Sequence, residues 1–106
     1  MSKGHAIKAF EKLNLHPNIL KAIAHEEYEN TTAIQKKVIP AAMKGVDVLG
    51  ASKSGTGKTA AYVLPLLHKL QKVVKKEGKV VRALILVPTI ELADQVSRTI
   101  ISFSRY

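Results

Sequence analysis

Gly55, Gly57, Lys58 and Thr59 stand within five consecutive residues, and together they suit the gripping of a triphosphate. They belong to the stretch Gly50-Ala51-Ser52-Lys53-Ser54-Gly55-Thr56-Gly57-Lys58-Thr59. A triphosphate needs backbone N–H donors that no side chain obstructs. Gly55 and Gly57, interleaved with Ser54 and Thr56, allow the turn and the close approach. A helix opening at Lys58 would add its unpaired N–H groups and the positive end of its dipole. The Lys58 ammonium can neutralise the outer phosphates, and the Thr59 hydroxyl, one residue on, is placed for a Mg²⁺ coordination site. Counting back from Gly57, Ser52 falls where the general pattern has its first glycine, and Gly50 is at the wrong offset to replace it. The plain alternative is a glycine-containing strand-to-helix turn with a solvated lysine.

That loop needs a strand before it and a helix after it. Val46 to Ala51 is short and rich in β-branched residues and reads as the strand, feeding the loop. From Lys58 to about Glu77, Val63, Leu67, Leu70 and Val74 form one apolar face of a long helix, kinked at Pro65 and stopped by Gly78. Arg82-Ala83-Leu84-Ile85-Leu86-Val87 is the nearly continuous apolar run of a strand covered on both faces. Thr89 can cap a last helix with Glu91 in its first turn and Leu92, Val96 and Ile100 on its apolar face.

Ahead of the loop the pattern is helical. A short helix from Ala6 to Leu15 breaks near Asn14, and a second starts at Pro17 with Ile19, Leu20, Ile23 and Ala24 on one stripe. A third starts at Thr31 or Thr32, buries Ile34, Val38 and Ala41 or Ala42, bends at Pro40 and ends at Gly45. The order predicts an α/β chain, helices followed by a parallel βαβα unit. Two strands do not enclose such a core, and both would keep unpaired edges unless another chain or segment covered them. The sequence therefore reads as the beginning of a larger α/β domain, a single unit over residues 1–106 with no second domain.

Composition bounds the rest. The chain has 106 residues, 46% of them hydrophobic and 24% charged, as expected of a globular domain. Seventeen Lys and Arg against eight Asp and Glu leave a charge of +9, a balance that favours polyanionic partners unless acids elsewhere offset it. Absence of Cys removes disulfides and thiolate metal sites. No apolar signal core follows Met1, and no run approaches the ~18 apolar residues of a membrane span, so no membrane role and a cytoplasmic setting are the expectation.

Three stretches, in one order, resemble the front of a DEAD-box ATP-dependent RNA helicase. Phe10 followed by Glu27-Tyr28-Glu29-Asn30-Thr31-Thr32-Ala33-Ile34-Gln35 is similar to the adenine-recognising Q motif with its upstream aromatic. Ser52 to Thr59 is similar to the family's phosphate-binding motif, and Pro88-Thr89-Ile90-Glu91-Leu92-Ala93-Asp94-Gln95 to its Pro-Thr-Arg-Glu-Leu-Ala motif on the RNA-facing side. The resemblance implies an incomplete RecA-like P-loop domain that takes ATP with Mg²⁺ and partners RNA. It implies that Gln35 reads the adenine edge, that Phe10 packs on the base, that Thr32 links base site and phosphate loop, and that Pro88 and Thr89 meet RNA. A Gln amide carries both the donor and the acceptor that the N6 and N7 edge of adenine requires. Thr32 and Gln35 are also spaced as a capping box, which could serve only to start a helix.

The departures have consequences. Thr31 stands where the family usually has Pro, Glu27 where it often has Gly, and Ser52 where Ala is common. Ile90 replaces Arg and removes a cation from the RNA-facing strip, leaving Thr89 and the N–H groups opening that helix to meet phosphate. No acidic motif for the metal follows either strand, and the motif coupling hydrolysis to unwinding and the second RecA-like domain do not appear. Phosphoryl transfer needs metal, oriented water and cations together, so the chain alone is expected neither to hydrolyse ATP efficiently nor to unwind RNA. Two other readings are a non-catalytic nucleotide- or RNA-binding module and another P-loop NTPase or kinase.

Overall fold

A computed structural model describes residues 10–26, 28, 31–52, 57–71 and 81–106. Its described residues contain four long helices: α1 (Pro17–His25), α2 (Ala33–Met43), α3 (Lys58–Leu70) and α4 (Ile90–Phe103). Before them, Phe10 and Glu11 are helical, and the turn closes where Leu13 N–H donates to Phe10 O at 3.0 Å and Asn14 adopts φ +60°. The break expected near Asn14 is thus a left-handed residue, which Asn tolerates better than most.

Local chemistry sets each helix start. The His16 ring accepts from Asn18 N–H at 3.0 Å and Pro17 fills the first position of α1, where a missing donor costs nothing. Thr32 caps α2 and Thr89 caps α4, its Oγ1 accepting from Leu92 N–H at 3.1 Å. Gly45, at φ +82°, follows the end of α2 as expected of a helix-stopping glycine. Pro40 and Pro65 both lie inside helices that run on past them, Pro65 fully packed in α3. One lost backbone donor is outweighed there by the packing on either side. The predicted run of the third of these helices to Glu77 is shortened, since α3 closes at Leu70 with Gln71 as its cap. Val74 and Gly78 lie outside the described residues.

Helix α3 is the centre of the packing: α2 and α4 lie against it, and α1 touches both α3 and α4. The core joins Ile19 and Ile23 of α1, Ile39 of α2, Val63, Leu64 and Leu67 of α3, and Phe103 of α4. Tyr28 lies between two other aromatic rings, 6.3 Å from Phe10 and 5.1 Å from Phe103 in an edge-on arrangement. Burial, and then the Glu26 carboxylate nearby, push its phenol above the ordinary tyrosine range.

The two expected strands are not formed among the described residues. Among the described residues there is no strand, and residues 46–52 and 81–87 share no ladder hydrogen bond. The reason is physical: a strand exists only by pairing along its backbone, and residues 46–51 and 83–87 share no ladder bond with one another. In the second segment the side chains nonetheless alternate as a pleat predicts. Leu84 and Leu86 are 78% and 84% exposed, whereas Ile85 and Val87 are half-buried and line a small groove with Val96 and Ile100 of α4.

Candidate nucleotide site

The capping box read in the sequence is formed in full. Gln35 N–H donates to Thr32 Oγ1 at 3.4 Å, and Thr32 N–H donates back to Gln35 Oε1 at 2.9 Å. The same amide then reaches across to the start of α3, where Gln35 Nε2 donates to Gly57 O at 3.2 Å. Gly57 O also accepts from Ala61 N–H at 3.2 Å, the first turn of α3, so one carbonyl joins two helices. Gln35 is 1% exposed, the most deeply buried polar side chain described. Thr32 and Gln35 therefore start α2 as a capping box, and Gln35 also ties that start to the opening of α3.

Gly57 is required twice over. Its φ is +82°, a left-handed conformation that an L side chain adopts at a cost of about 1–2 kcal/mol. A Cβ there would stand 2.4 Å from Gln35 Nε2 and 3.2 Å from Thr32 Cγ2. Helices α1, α2 and α4 each start on a side chain that accepts from a backbone N–H, whereas α3 starts on Gly57 and has no such cap. Its opening N–H groups are thus left for another acceptor, which suits an anionic phosphate at the positive end of the helix.

The remaining predicted residues distribute as follows. Lys58 is exposed, and its Nζ donates to Ser52 O at 2.7 Å, folding the ammonium back over the loop. Thr59, next in the first turn of α3, is half-buried. Ser54, Gly55 and Thr56 lie outside the described residues. Pro88, Thr89 and Ile90 are exposed at the opening of α4, which leaves the strip assigned to RNA open to solvent. Phe10 is 0% exposed and packed in the core. A fully covered aromatic contributes most as core, and Tyr28 and its neighbours occupy its flank.

Two participants had little sequence signal. The Ser52 carbonyl that holds Lys58 is a backbone atom and could not be read from residue type. The approach of Gly50 to Ile34 and Val38, where an added Cβ would meet each side chain at 3.3 Å, seats the incoming segment on α2. Only the glycine that ends the run from Val46 hinted at it. Beside this segment, α2 and α3 frame a groove of about 530 Å³ lined by Ile34, Val38, Val48, Lys58 and Tyr62. A larger cavity, about 620 Å³ between His16, Met43 and His68, sits at the far end of α3, about 20 Å along the helix from Gly57.

The fold is RecA-like by superposition. The structure superimposes on the crystal structure of the RNA-helicase Prp28 from Chaetomium thermophilum bound to ADP with a TM-score of 0.79 and 35% identity, covering 90% of this chain and 23% of that one. Residues 32–106 match the DEAD/DEAH box helicase family, and the chain belongs to it. Among its relatives, the ATP-dependent RNA helicase DBP9 of Ajellomyces capsulatus is 49% identical over 99% of this chain. That of Coccidioides immitis is 44% identical over 93%, and that of Neosartorya fischeri 46% over 92%. The chain spans only 16–17% of the length of these relatives.

Proposed function

We propose that this chain is the ATP-gripping segment of an ATP-dependent RNA helicase, with Mg²⁺ at the phosphates and RNA along the opening of α4. The observation that supports it is the 3.2 Å bond from Gln35 Nε2 to Gly57 O, which joins the buried amide of α2 to the opening of α3. Gln35 spends one N–H and one lone pair on Gly57 and Thr32, and a second of each remains for the adenine edge. Lys58 releases the Ser52 carbonyl to meet phosphate, and Thr59 supplies its hydroxyl to Mg²⁺. ATP supplies the energy that a helicase spends on strand separation. The residues of this chain bind and orient the nucleotide, and hydrolysis and unwinding belong to the longer protein. In the same reading residues 46–51 and 82–87 are parallel strands of a βαβα unit, paired by strands from outside these 106 residues.

The test is the ratio of ATP to GTP affinity, measured by calorimetry with Mg²⁺ for the chain and for Gln35→Ala. The ratio is expected to shrink by roughly tenfold, about 1–2 kcal/mol of lost discrimination at one bidentate contact. Using a ratio separates recognition from any loosening of α2, which would weaken both nucleotides alike. An unchanged ratio would hand the site to another kind of P-loop protein.

RNA contact has its own expected outcome. Ile90 is 85% exposed beside Thr89, so Ile90→Arg adds a cation without disturbing the core. Affinity for a single-stranded RNA is expected to rise, and its log–log salt slope to steepen by about 0.7–1. A slope that does not move removes the opening of α4 from the RNA surface.

A further inference from the structure

The cavity of about 620 Å³ at the far end of α3 has no role in gripping ATP. It forms where the opening of α1, through His16, meets the ends of α2 and α3, through Met43, His68, Lys69 and Gln71. Two hydrogen bonds between these elements hold its walls: His16 N–H donates to His68 Nδ1 at 2.8 Å, and Asn18 Nδ2 donates to Gln71 Oε1 at 3.4 Å. The same network fixes which polar atoms remain. The His16 ring accepts from Asn18 N–H at Nδ1, so the neutral imidazole carries its proton on Nε2 as a donor. Gln71 has its oxygen held by Asn18 and keeps two amide N–H donors. Lys69 is exposed, and its ammonium donates without being able to accept. Among the described residues that line the cavity there is no carboxylate.

Donors that face no acid call for an anion, and the local charge agrees. In the sequence, Lys69, Lys72, Lys75, Lys76, Lys79 and Arg82 fall within one stretch whose only acid is Glu77. The negative end of the α3 dipole would oppose an anion, but Arg82 Nη1 donates to Leu70 O at 3.4 Å and sets a cation against it. The volume is that of a small-molecule site, larger than a bare ion needs, and the Met43 thioether gives an organic body a polarizable wall. We propose that this cavity is a second ligand site, and that it takes a small organic phosphate monoester. Lys69, His16 Nε2–H and the Gln71 amide meet the terminal oxygens, and the body packs on Met43. A monoester presents three acceptor oxygens and nearly two charges to these three donor groups, which a carboxylate or the diester backbone of RNA does not. The proposal is independent of the nucleotide reading, whose site lies about 20 Å away along α3.

The test titrates phenyl phosphate into the isotope-labelled chain and follows the Met43 methyl and the His16 ring by NMR. Saturable shifts are expected at both. Lys69 is exposed, so Lys69→Ala should keep the unfolding midpoint while lowering affinity roughly tenfold. His16→Asn keeps an oxygen to cap α1 and removes the Nε2–H donor, and should lower affinity about threefold. Lys58→Ala should leave the Met43 and His16 shifts in place, since the phosphate loop is a separate site. No movement of these signals up to about 10 mM phenyl phosphate overturns the proposal, as does unchanged affinity in Lys69→Ala. Benzoate or a short single-stranded RNA that shifts the same signals at equal or lower concentration overturns the assignment to a monoester. An unchanged ATP-to-GTP ratio in Gln35→Ala would sink the nucleotide reading and leave this site untouched.

Discussion

Gly57→Ala is expected to be among the most damaging single changes in this chain, lowering both stability and nucleotide affinity. The added methyl faces a left-handed backbone at φ +82° and an amide nitrogen at 2.4 Å. Gln35 is a flexible residue in principle, and at an exposed site it would move aside at little cost. Here it is buried and held at both ends of its amide, by Thr32 N–H and Gly57 O. Moving it forfeits hydrogen bonds worth about 0.5–1.5 kcal/mol each, on top of about 1–2 kcal/mol for the αL strain. The sum, about 2–5 kcal/mol, is a large share of the ~5–15 kcal/mol that a domain typically has. Urea unfolding should show the midpoint falling with the slope unchanged.

A double-mutant cycle separates the two causes. In a Gln35→Ala background the crowding partner is gone, so Gly57→Ala should then cost only the backbone strain. The coupling between the two sites is expected to be about 1 kcal/mol or more, the range found for side chains in direct contact. Additive effects would show that Gln35 and Gly57 do not meet, and with them the central observation behind the nucleotide reading would go.

That junction was legible in the sequence because it is built from local rules. Thr-x-x-Gln announces a helix start, Gly-x-Gly-Lys-Thr announces a phosphate turn, and the resemblance joined them. What sequence spacing missed are contacts set by tertiary packing. Ile39 and Phe103 are buried, yet the stripes counted along their helices ran through Ile34 and Ile100, which are only half-buried. A hydrophobic stripe gives the direction of the core but not which neighbour closes over it. Phe10 is fully buried beside Tyr28, whose ring in turn meets Phe103 edge-on, a packing that residue spacing does not show. The strands were recognisable by composition, and still no ladder forms, because pairing is a property of two segments and only one of each pair is described.

The last helix exposes how unevenly this fold is held. Only Val96 and Phe103 of the fourteen residues of α4 are buried, so one aromatic ring anchors its C-terminal half. Phe103→Ala should cost about 3–5 kcal/mol, the range for deleting a buried phenyl, and should also free the Tyr28 ring from its edge-on contact at 5.1 Å. Helices α2 and α3 share their own interface through Ile39, Val63 and Leu64 and do not depend on that ring. Native-state amide exchange should therefore lose protection first in α4, while α2 and α3 keep theirs. The capping box and the Gln35–Gly57 bond would survive in such a variant, and nucleotide preference with them, while RNA affinity at the opening of α4 would fall. Uniform loss of protection across all four helices would mean instead that the chain unfolds as one unit, with Phe103 as central to the nucleotide end as to its own helix.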